Sequence, residues 1–485
     1  MLSEKAVIDL SRVVATREAL KMIPAAQSRR LGVLPLVVSE DKLYVVMADN
    51  EDYLSLSQIE NLVGIPVVIL RAEQPESVPD YIKKYYPEYA NEFVGTPLGL
   101  LEEVVLRAML YRSSDIHFDP EQETGFIRFR IDGLMQVDQT LPVSNMNELI
   151  SAVKVSSGLN IAEHRIPQDG QISLWVTGTE VSMRVATIPT IYGEKMTLRI
   201  LATENTLAEL AELNMLGMND AHLKMLLETL DNTNGVILLS GPTGSGKTTT
   251  LYAALRHLKQ SGTLHILSIE DPVEIPLNGI NQVRIDSDRV DFNRALRSTL
   301  RHDPDVIMIG EIRDSETADI AIKSALTGHL VLSTLHANDS VGVVTRLLNL
   351  GVASELVNSA LRLVIAQRLV RSPCPHCVRY EPPNEIDREF FGWVNDENIR
   401  VPKTTGCPLC NHSGYAGRLG LYEIIKIDRK IRDLIRNTAN EDEISNYIFN
   451  ECNSPTLKVD GIDKIKKGLT TPEEVRRVTF LGSEK

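Results

Sequence analysis

Residues 235–250 read GVILLSGPTGSGKTTT, an apolar run that leads directly into a glycine-rich loop. The loop matches the pattern G-x-x-x-x-G-K-[ST], in which glycines let backbone N–H groups approach a phosphate because no Cβ stands in the way. The Lys of the pattern reaches the β- and γ-phosphates, its Ser or Thr binds Mg²⁺, and the following helix directs its positive end at the same anion. The stretch therefore predicts a nucleoside triphosphate site. The predicted site comprises Gly241, Pro242, Thr243, Gly244, Ser245, Gly246, Lys247 and Thr248, with Thr248 as the Mg²⁺ ligand.

The surrounding segment, residues 206–372, alternates helical stretches with near-continuous apolar runs. These runs are GVILLSG, LHILSIED, DVIMIGE and GHLVLSTLH. Strands that are buried on both faces of a parallel sheet lose the alternation of apolar and polar residues. The segment therefore predicts a RecA-like α/β P-loop core with a parallel sheet.

The rest of the chain predicts further domains, because 485 residues with 43% hydrophobic content exceed what one core usually organises. Residues 1–95 mix short apolar strands and helical stretches, and end in PDYIKKYYPEYANEF, which indicates a small α/β domain and a linker. Residues 96–205 begin with a helix and then alternate in GFIRFRIDGLMQV, which predicts an α+β middle domain with an antiparallel sheet. Residues 373–417 hold paired cysteines, and residues 418–485 indicate short helices.

Charge and hydropathy limit the classes of function. The net charge of −14 opposes a broad grip on nucleic acid, which depends on clustered Lys and Arg. The N-terminal MLSEKAVIDLSRVV carries charges where a signal peptide needs an apolar core, and no stretch approaches the ~20 apolar residues of a membrane span. We expect a cytosolic protein that reaches a membrane only through partners.

Four of the five cysteines form two C-x-x-C pairs, CPHC and CPLC, with 29 residues between them. In a reducing compartment such pairs are more often metal sites than disulfides. Four thiolates complete the tetrahedral shell of Zn²⁺ and leave no open position, which predicts a structural site. His376 and His412 are close enough in sequence to act as substitute ligands, but four sulfurs are favoured. The predicted zinc ligands are Cys374, Cys377, Cys407 and Cys410, with Cys452 as a spare thiol.

Two acidic residues follow apolar strands of the predicted core. Glu311 ends the strand in DPDVIMIGEIRD, and Glu270 ends the strand in SIEDPVE. Ligands of parallel α/β sheets bind outside the carboxyl ends of the strands, where a P-loop enzyme holds a carboxylate beside Mg²⁺ and the attacking water. Either glutamate is able to serve as general base; we favour Glu311, with Glu270 organising Mg²⁺ or its waters. Acidic caps of this kind are also ordinary loop chemistry.

Histidines and arginines are further candidates for contacts with the triphosphate. His329 and His336 flank the strand in TGHLVLSTLHAND and point to opposite faces, so one metal ion does not take both. Either is able to sense the γ-phosphate or to serve only as a structural residue. A triphosphate also needs bidentate donors for its transition-state charge. Arginines recur in two regions: Arg128, Arg130, Arg184 and Arg199 in the middle domain, and Arg294, Arg297 and Arg301 in the core.

Together these motifs resemble one family. GPTGSGKTTT, IEDPVE, LRHDPDVIMIGEIRDSETA and TGHLVLSTLHAND occur in the order found in the secretion-superfamily ATPases of bacterial type II secretion and type IV pilus assembly. SSDIHFDP, IRFRIDG, EHRIPQDGQI and ATIPTIYGEKMTLRIL resemble the family's PAS-like middle domain. AQRLVR, the C-x-x-C pairs, GYAGRLGLYE and GLTTPEEVRRV resemble its C-terminal part. The resemblance runs from about residue 96 to the end.

The resemblance implies a hexameric ATPase that uses ATP, Mg²⁺ and Zn²⁺ and drives assembly of a pilin-like filament through a polytopic platform protein. It implies that Arg184 and Arg199 contact the γ-phosphate and that Arg297 and Arg301 line a subunit boundary. His336 is counted with the catalytic candidates as a sensor of the γ-phosphate. SRRLGVLPLVVSEDKLYVVMADNED resembles the family's N-terminal domain, which docks on a bitopic membrane anchor. Some relatives bind cyclic di-GMP there; this chain has one R-L-G-x-L-like block, which leaves that ligand open.

Three alternatives stay open beside type II secretion. The 29-residue gap between the cysteine pairs resembles the secretion branch, and type IV pilus extension is the nearest alternative. A RecA-like motor that translocates nucleic acid is more distant, because the acidic charge opposes it. A nucleotide-gated adaptor without enzymatic activity is disfavoured by the presence of Lys247, Thr248 and Glu311, since a binding module needs no water-positioning acid.

Overall fold

The computed structural model forms two units, each described here by itself. One contains residues 1–203, 373–379 and 403–417, and the other contains residues 204–372, 380–402 and 418–485. The residues that the structure describes are 7–48, 53–86, 96–176, 179–201, 212–285, 291–394, 398–410, 412–436, 441–452 and 454–479. The segment that ends in the predicted linker, PDYIKKYYPEYANEF, spans residues 79–93; residues 79–85 of it are helical, and residues 87–93 lie outside these ranges.

The N-terminal part of the first unit is a four-stranded sheet of order β1-β4-β3-β2 with helices. β2 and β3 are antiparallel and are joined by Glu40 and Asp41, whose φ angles of 52° and 57° suit a two-residue hairpin turn. β3 and β1 both pair with β4 in parallel. The elements are β1 Val7–Ile8, α1 Arg17–Met22, α2 Ala25–Leu31, β2 Val33–Ser39, β3 Lys42–Met47, α3 Tyr53–Val63, β4 Val67–Ala72 and α4 Val78–Tyr85, with 3-10 turns at Leu10–Arg12 and Pro75–Ser77.

The middle part of this unit is a six-stranded antiparallel sheet of order β7-β6-β5-β10-β9-β8. Alternate residues such as Ile127 and Phe129 are buried against two helices, whereas Arg128 and Arg130 point to the other face. The α+β domain with one covered face is therefore confirmed. The elements are α5 Pro97–Leu110, β5 Asp115–Pro120, β6 Thr124–Ile131, β7 Leu134–Pro142, α6 Val143–Ser156, β8 Gln168–Val176, β9 Thr179–Thr190 and β10 Gly193–Ile200.

The second unit is built on a mainly parallel sheet whose central strands are buried along their whole length, which explains their continuous apolar sequences. The predicted parallel α/β core is confirmed. Its elements up to the first cysteine are α7 Asp220–Leu230, β11 Gly235–Ser240, α8 Lys247–Lys259, β12 Ile266–Glu270, β13 Asn281–Arg284, α9 Phe292–Thr299, β14 Val306–Ile309, α10 Ser315–Leu326, β15 Leu330–Leu335, α11 Ser340–Asn349, α12 Ser354–Ala360 and β16 Leu361–Pro373, with a 3-10 turn at Leu213–Met215.

The rest of the chain adds a small sheet, the last core strand and short helices. The elements are β17 Val378–Glu381, α13 Glu385–Phe391, β18 Val401–Thr404, β19 Tyr415–Lys426, α14 Arg429–Arg436, α15 Glu441–Asn446, α16 Leu457–Lys466 and α17 Pro472–Thr479, with a 3-10 turn at Pro408–Cys410 and a π-turn at Tyr447–Glu451. The core sheet has the order β13-β12-β14-β15-β11-β16-β19, so its last strand comes from the chain that follows the cysteines. Helices in the described ranges are all too short or too polar to cross a membrane.

Candidate nucleotide site and tetracysteine cluster

The glycine-rich loop connects the buried end of β11 to the first residue of α8, as a phosphate-binding loop requires. Gly241 and Gly246 have φ angles of 147° and 87°, which side chains with a Cβ rarely adopt. A Cβ on Gly241 would lie 2.5 Å from the carbonyl oxygen of Gln367, and a Cβ on Gly246 would lie 2.8 Å from its Nε2. Only glycine therefore fits at these two positions, because a Cβ would be strained by the φ angle and would collide with Gln367 of β16.

Lys247 folds back over the loop in this structure. Its ammonium donates to the carbonyl oxygens of Gly241, at 2.6 Å, and Pro242, at 3.0 Å. Burial lowers the pKa of Lys247 to about 8; the Glu311 carboxylate opposes this shift, and the Arg368 guanidinium adds to it. The ammonium is therefore held by carbonyl oxygens of the loop itself. Thr248, the predicted Mg²⁺ ligand, is exposed at the start of α8.

This pKa gives a prediction for nucleotide binding. A polyphosphate favours the charged ammonium, so binding raises the pKa of Lys247, and a proton is taken up when ATP binds at pH 8 or above. We expect the affinity for ATP to fall by up to about 10-fold per pH unit above pH 8. Titration calorimetry in buffers of different ionisation enthalpy measures the proton uptake. In Lys247→Arg, whose guanidinium stays charged, the uptake should disappear; absence of uptake by the wild type at pH 9 would contradict the prediction.

Glu311 lies just beyond β14 and is partly exposed among cations. It forms an ion pair with Arg313, and the Nε2 atom of His336 lies 3.4 Å from its Oε2. Arg313 also approaches Asp271, with 3.6 Å between Nη1 and Oδ2, and so connects the two acidic segments. Glu311 follows β14 and Lys247 follows the loop after β11, so both lie at the carboxyl ends of strands of the same parallel sheet.

Glu270 ends β12 in a different environment, with 3% of its surface exposed. The hydroxyl of Tyr252 donates to its Oε2, while Ser268 Oγ, at 2.6 Å, and Gln282 Nε2, at 3.1 Å, donate to its Oε1. Burial raises the pKa of Tyr252 far above its usual range, and the charge of Glu270 adds to this, so the phenol stays a donor. One glutamate is therefore accessible among cations, and the other is buried and held by neutral donors.

The two histidines have separate environments. His329 precedes β15, and its Nδ1 lies 2.8 Å from the carbonyl oxygen of Ser324. His336 follows β15 beside Glu311. Only His336 therefore belongs to the edge of the sheet that carries the glycine-rich loop.

The core arginines lie on or just after α9 and are exposed. Arg297 pairs with Glu316, and Arg301 donates to Ser298 Oγ at 3.4 Å.

The middle-domain arginines lie on neighbouring strands. Arg184 of β9 is directly opposite Arg199 of β10 in the antiparallel register, so both project from one face. Like charges placed directly opposite each other destabilise a sheet. Asp115 partly offsets the pair, with 2.8 Å between its Oδ1 and the Nε of Arg199, and Arg130 also approaches it. This face of the sheet therefore carries three arginines in register with one carboxylate.

The four predicted zinc ligands lie together, with all Sγ atoms within 4.8 Å of one another. The Sγ atoms are separated by 3.9 Å for Cys374 and Cys407, 4.0 Å for Cys377 and Cys410, and 3.7 Å for Cys407 and Cys410. A tetrahedron with Zn–S bonds of about 2.3 Å has edges of about 3.8 Å, so the four sulfurs fit Zn²⁺. Backbone N–H groups of Cys407 and Gly414 donate to Cys410 Sγ, as expected for a thiolate. Neither His376 nor His412 belongs to this group within the described residues.

The structure adds residues that the sequence analysis did not assign to the site. They are Tyr252 and Gln282 at Glu270, Arg313 at Glu311, and Arg368 and Gln367 at the glycine-rich loop. Arg313 is two positions from Glu311, and AQRLVR contains Gln367 and Arg368. The position of Arg313 beside Glu311 and the AQRLVR motif could have indicated these arginines and Gln367 from the sequence. Nothing local to Tyr252 indicates a contact with an acid 18 positions later.

Comparison with known proteins assigns the chain to a family. A family model described as "Type II/IV secretion system protein" matches residues 95–477. The chain belongs to the type II/IV secretion system protein family. A second model, described as "MshEN domain", matches residues 4–89 of this secretion-family chain.

Relatives of this secretion-family protein match over nearly its whole length. It is 38% identical to the type II secretion system ATPase E of Vibrio cholerae, over 99% of this chain and 90% of that protein. It is 36% identical to the type IV pilus assembly ATPase PilB of Myxococcus xanthus, over 94% of this chain and 86% of that protein. Among solved structures, the pilus retraction motor PilT with bound ADP matches with a TM-score of 0.54 and 25% identity, over 79% of this chain and 97% of PilT. This type II/IV secretion family member is an ATPase.

Proposed function

We propose that this ATPase hydrolyses Mg²⁺-ATP in the cytoplasm and, as a hexamer, drives assembly of a pilin-like filament for type II protein secretion. The observation that carries the proposal is the 38% identity to a type II secretion ATPase across 99% of the chain, so that the docking part and the motor both match. Relatives named type II secretion system protein E reach 43% identity, against 36% for pilus assembly ATPases. Type IV pilus extension is the second candidate, supported by those pilus relatives.

In the proposed reaction, backbone N–H groups of residues 241–246 and the Lys247 ammonium bind the β- and γ-phosphates. The Thr248 hydroxyl would hold Mg²⁺, which would offset charge on the phosphates, and the buried Glu270 would orient waters at that ion. Glu311 accepts a proton from the water that attacks the γ-phosphorus, because it is the accessible carboxylate at the sheet edge that carries the glycine-rich loop. His336 hydrogen-bonds Glu311 or the γ-phosphate.

Arginines couple this reaction to movement. Arg184 and Arg199 approach the γ-phosphate when the middle domain closes on the core, and the crowded cations of β9 and β10 support such a role. Arg297 and Arg301, exposed at α9, line a subunit boundary of the hexamer. The arginines thereby stabilise the negative charge that develops on the γ-phosphate in the transition state only in the closed assembly.

The remaining parts hold structure and partners. Cys374, Cys377, Cys407 and Cys410 hold one structural Zn²⁺ per chain, because their four sulfurs leave no position for substrate. Residues 1–95 bind the cytoplasmic part of a bitopic membrane anchor, and the core contacts a polytopic inner-membrane platform protein. The chain is thus peripheral to the inner membrane, with no nucleic-acid partner; cyclic di-GMP is left open as a ligand of residues 1–95.

A membrane pull-down tests this proposal against its alternatives. The Glu311→Gln chain, loaded with ATP, should be held in one nucleotide state and retain its partners. Recovery of a secretion anchor and platform supports the proposal, and recovery of pilus proteins supports the second candidate. Nucleic acid recovered without either set would overturn both. The Lys247→Ala chain, which should not bind ATP, is the matched control for contacts that depend on nucleotide.

A further inference from the structure

Tyr252 joins the phosphate-loop helix to the acidic segment that follows β12. It lies on α8, five positions after Lys247, and its side chain is fully buried. Its hydroxyl donates to Glu270 Oε2 and accepts from the backbone N–H of Glu274 at 3.3 Å. One phenol oxygen therefore contacts both ends of the segment 270–274.

We propose that Tyr252 is a positioning residue that sets the orientation of the Glu270 carboxylate relative to the nucleotide. Ser268 and Gln282 hold Oε1 from the β12 and β13 side, whereas Tyr252 holds Oε2 from the helix that begins at the phosphates. A shift of that helix on nucleotide binding moves the hydroxyl and with it the carboxylate. This inference rests on the proposed role of Glu270.

The substitution Tyr252→Phe tests the role while it keeps the ring and its packing. We expect ATP affinity within about 2-fold of wild type and a kcat roughly 10-fold lower, the size expected for one hydrogen bond to a charged group. In a Glu270→Gln background, the same substitution should have little further effect, because Tyr252 acts through that carboxylate.

Tyr422→Phe is the matched control, since Tyr422 is equally buried but its hydroxyl donates to the carbonyl oxygen of Leu216. Wild-type kcat in Tyr252→Phe, or an effect that multiplies fully with Glu270→Gln, would overturn the inference. These outcomes are distinct from failure of the Glu311 assignment, which the Glu311→Gln chain reports by itself.

A different observation concerns the loop that carries the second cysteine pair. Leu409 lies between Cys407 and Cys410 in the 3-10 turn Pro408–Cys410 and is 2% exposed. It belongs to the apolar core of the N-terminal part, together with residues of β2 and α4 such as Leu36, Val37 and Ile82. Cys407 packs against the same core.

We call residues 374–377 and 407–410 the tetracysteine loop. We infer that this loop packs the N-terminal domain onto the chain that carries the motor, and that bound metal holds the loop in shape. The two cysteines that flank Leu409 are both ligands of the proposed zinc site, so the metal fixes the turn that presents this leucine. The loop is connected by the chain to the core strands β16 and β19. The metal is thereby a condition for attachment of the docking domain, in addition to stabilising its own loop. This inference rests on the proposed zinc site.

Hydrogen exchange on the full-length chain tests the attachment. In Leu409→Asp, amide protection in β2 and α4 should fall by at least about 10-fold, because a buried carboxylate disfavours the packed state. The zinc-free chain made by Cys374→Ser with Cys407→Ser should lose the same protection. Leu469→Asp, at an exposed leucine, is the matched control and should change nothing in these elements.

Native mass measurement on the same samples reports zinc content separately. One zinc per wild-type chain and none in the double variant support the proposed metal site. Unchanged protection of β2 and α4, either in Leu409→Asp or in the zinc-free chain, would overturn the docking inference whatever the zinc content.

Discussion

The Glu311→Gln chain is expected to bind ATP about as tightly as the wild type and to hydrolyse it roughly 10²–10⁴-fold more slowly, the contribution of a positioned general base. The amide keeps the shape of the side chain but cannot accept the proton of the attacking water. Binding survives because Lys247, which folds over the glycine-rich loop, is unchanged. Steady-state phosphate release and the binding of a fluorescent ATP analogue measure the two quantities.

Two further variants separate this role from its neighbours. Lys247→Ala should weaken nucleotide binding itself, because it removes the cation that meets the β- and γ-phosphates. Glu270→Gln keeps the size of the side chain but removes its charge and one of its two acceptor oxygens, and should alter the dependence on Mg²⁺ concentration. If Glu311→Gln turns over ATP normally and Glu270→Gln does not, the general base is Glu270 and not Glu311.

The fold was predictable where residues close together in the sequence determine the local structure. Buried parallel strands have continuous apolar sequences, as in β11 and β15. Glycines in the loop likewise predict the positive φ angles that they adopt. The cysteine pairs were predictable for a similar reason, since C-x-x-C spacing places two sulfurs on one metal. Glu311 and Lys247 could be placed at one sheet edge because the carboxyl ends of parallel strands meet there.

Contacts between distant segments were not predictable in this way. The hydroxyl of Tyr252 reaches Glu270 only because the fold brings α8 and the end of β12 together, and a helical apolar pattern does not distinguish a tyrosine that packs from one that also donates. Nothing local to Leu409 distinguishes it from an ordinary residue between two predicted ligands, yet it packs in a core whose other buried members lie more than 300 positions earlier in the chain. The last core strand, β19, follows the cysteines, and no local signal indicates which sheet it joins. The domain boundaries proposed from composition stay predictions.

Deletion of residues 1–95 is expected to abolish recruitment to the membrane and secretion while ATP binding persists. Among the described residues no helix is long and apolar enough to cross a membrane. The proposed anchor contact lies in residues 1–95, and the N-terminal sheet is the part not needed for the nucleotide site. The Lys247, Glu311 and Glu270 groups all lie in the other unit and keep their own contacts. Fractionation of cells that carry the anchor and platform proteins measures recruitment, and nucleotide binding by the purified chain shows that the core is intact.

Full-length Lys247→Ala is the control for this deletion, because it should reach the membrane through residues 1–95 and yet fail to support secretion. The pair separates docking from catalysis: one variant binds ATP without a membrane, and the other reaches the membrane without ATP. If the shortened chain still co-fractionates with membranes to the extent of the full chain, the docking role belongs to the core, and the N-terminal domain acts on the motor instead of on the anchor.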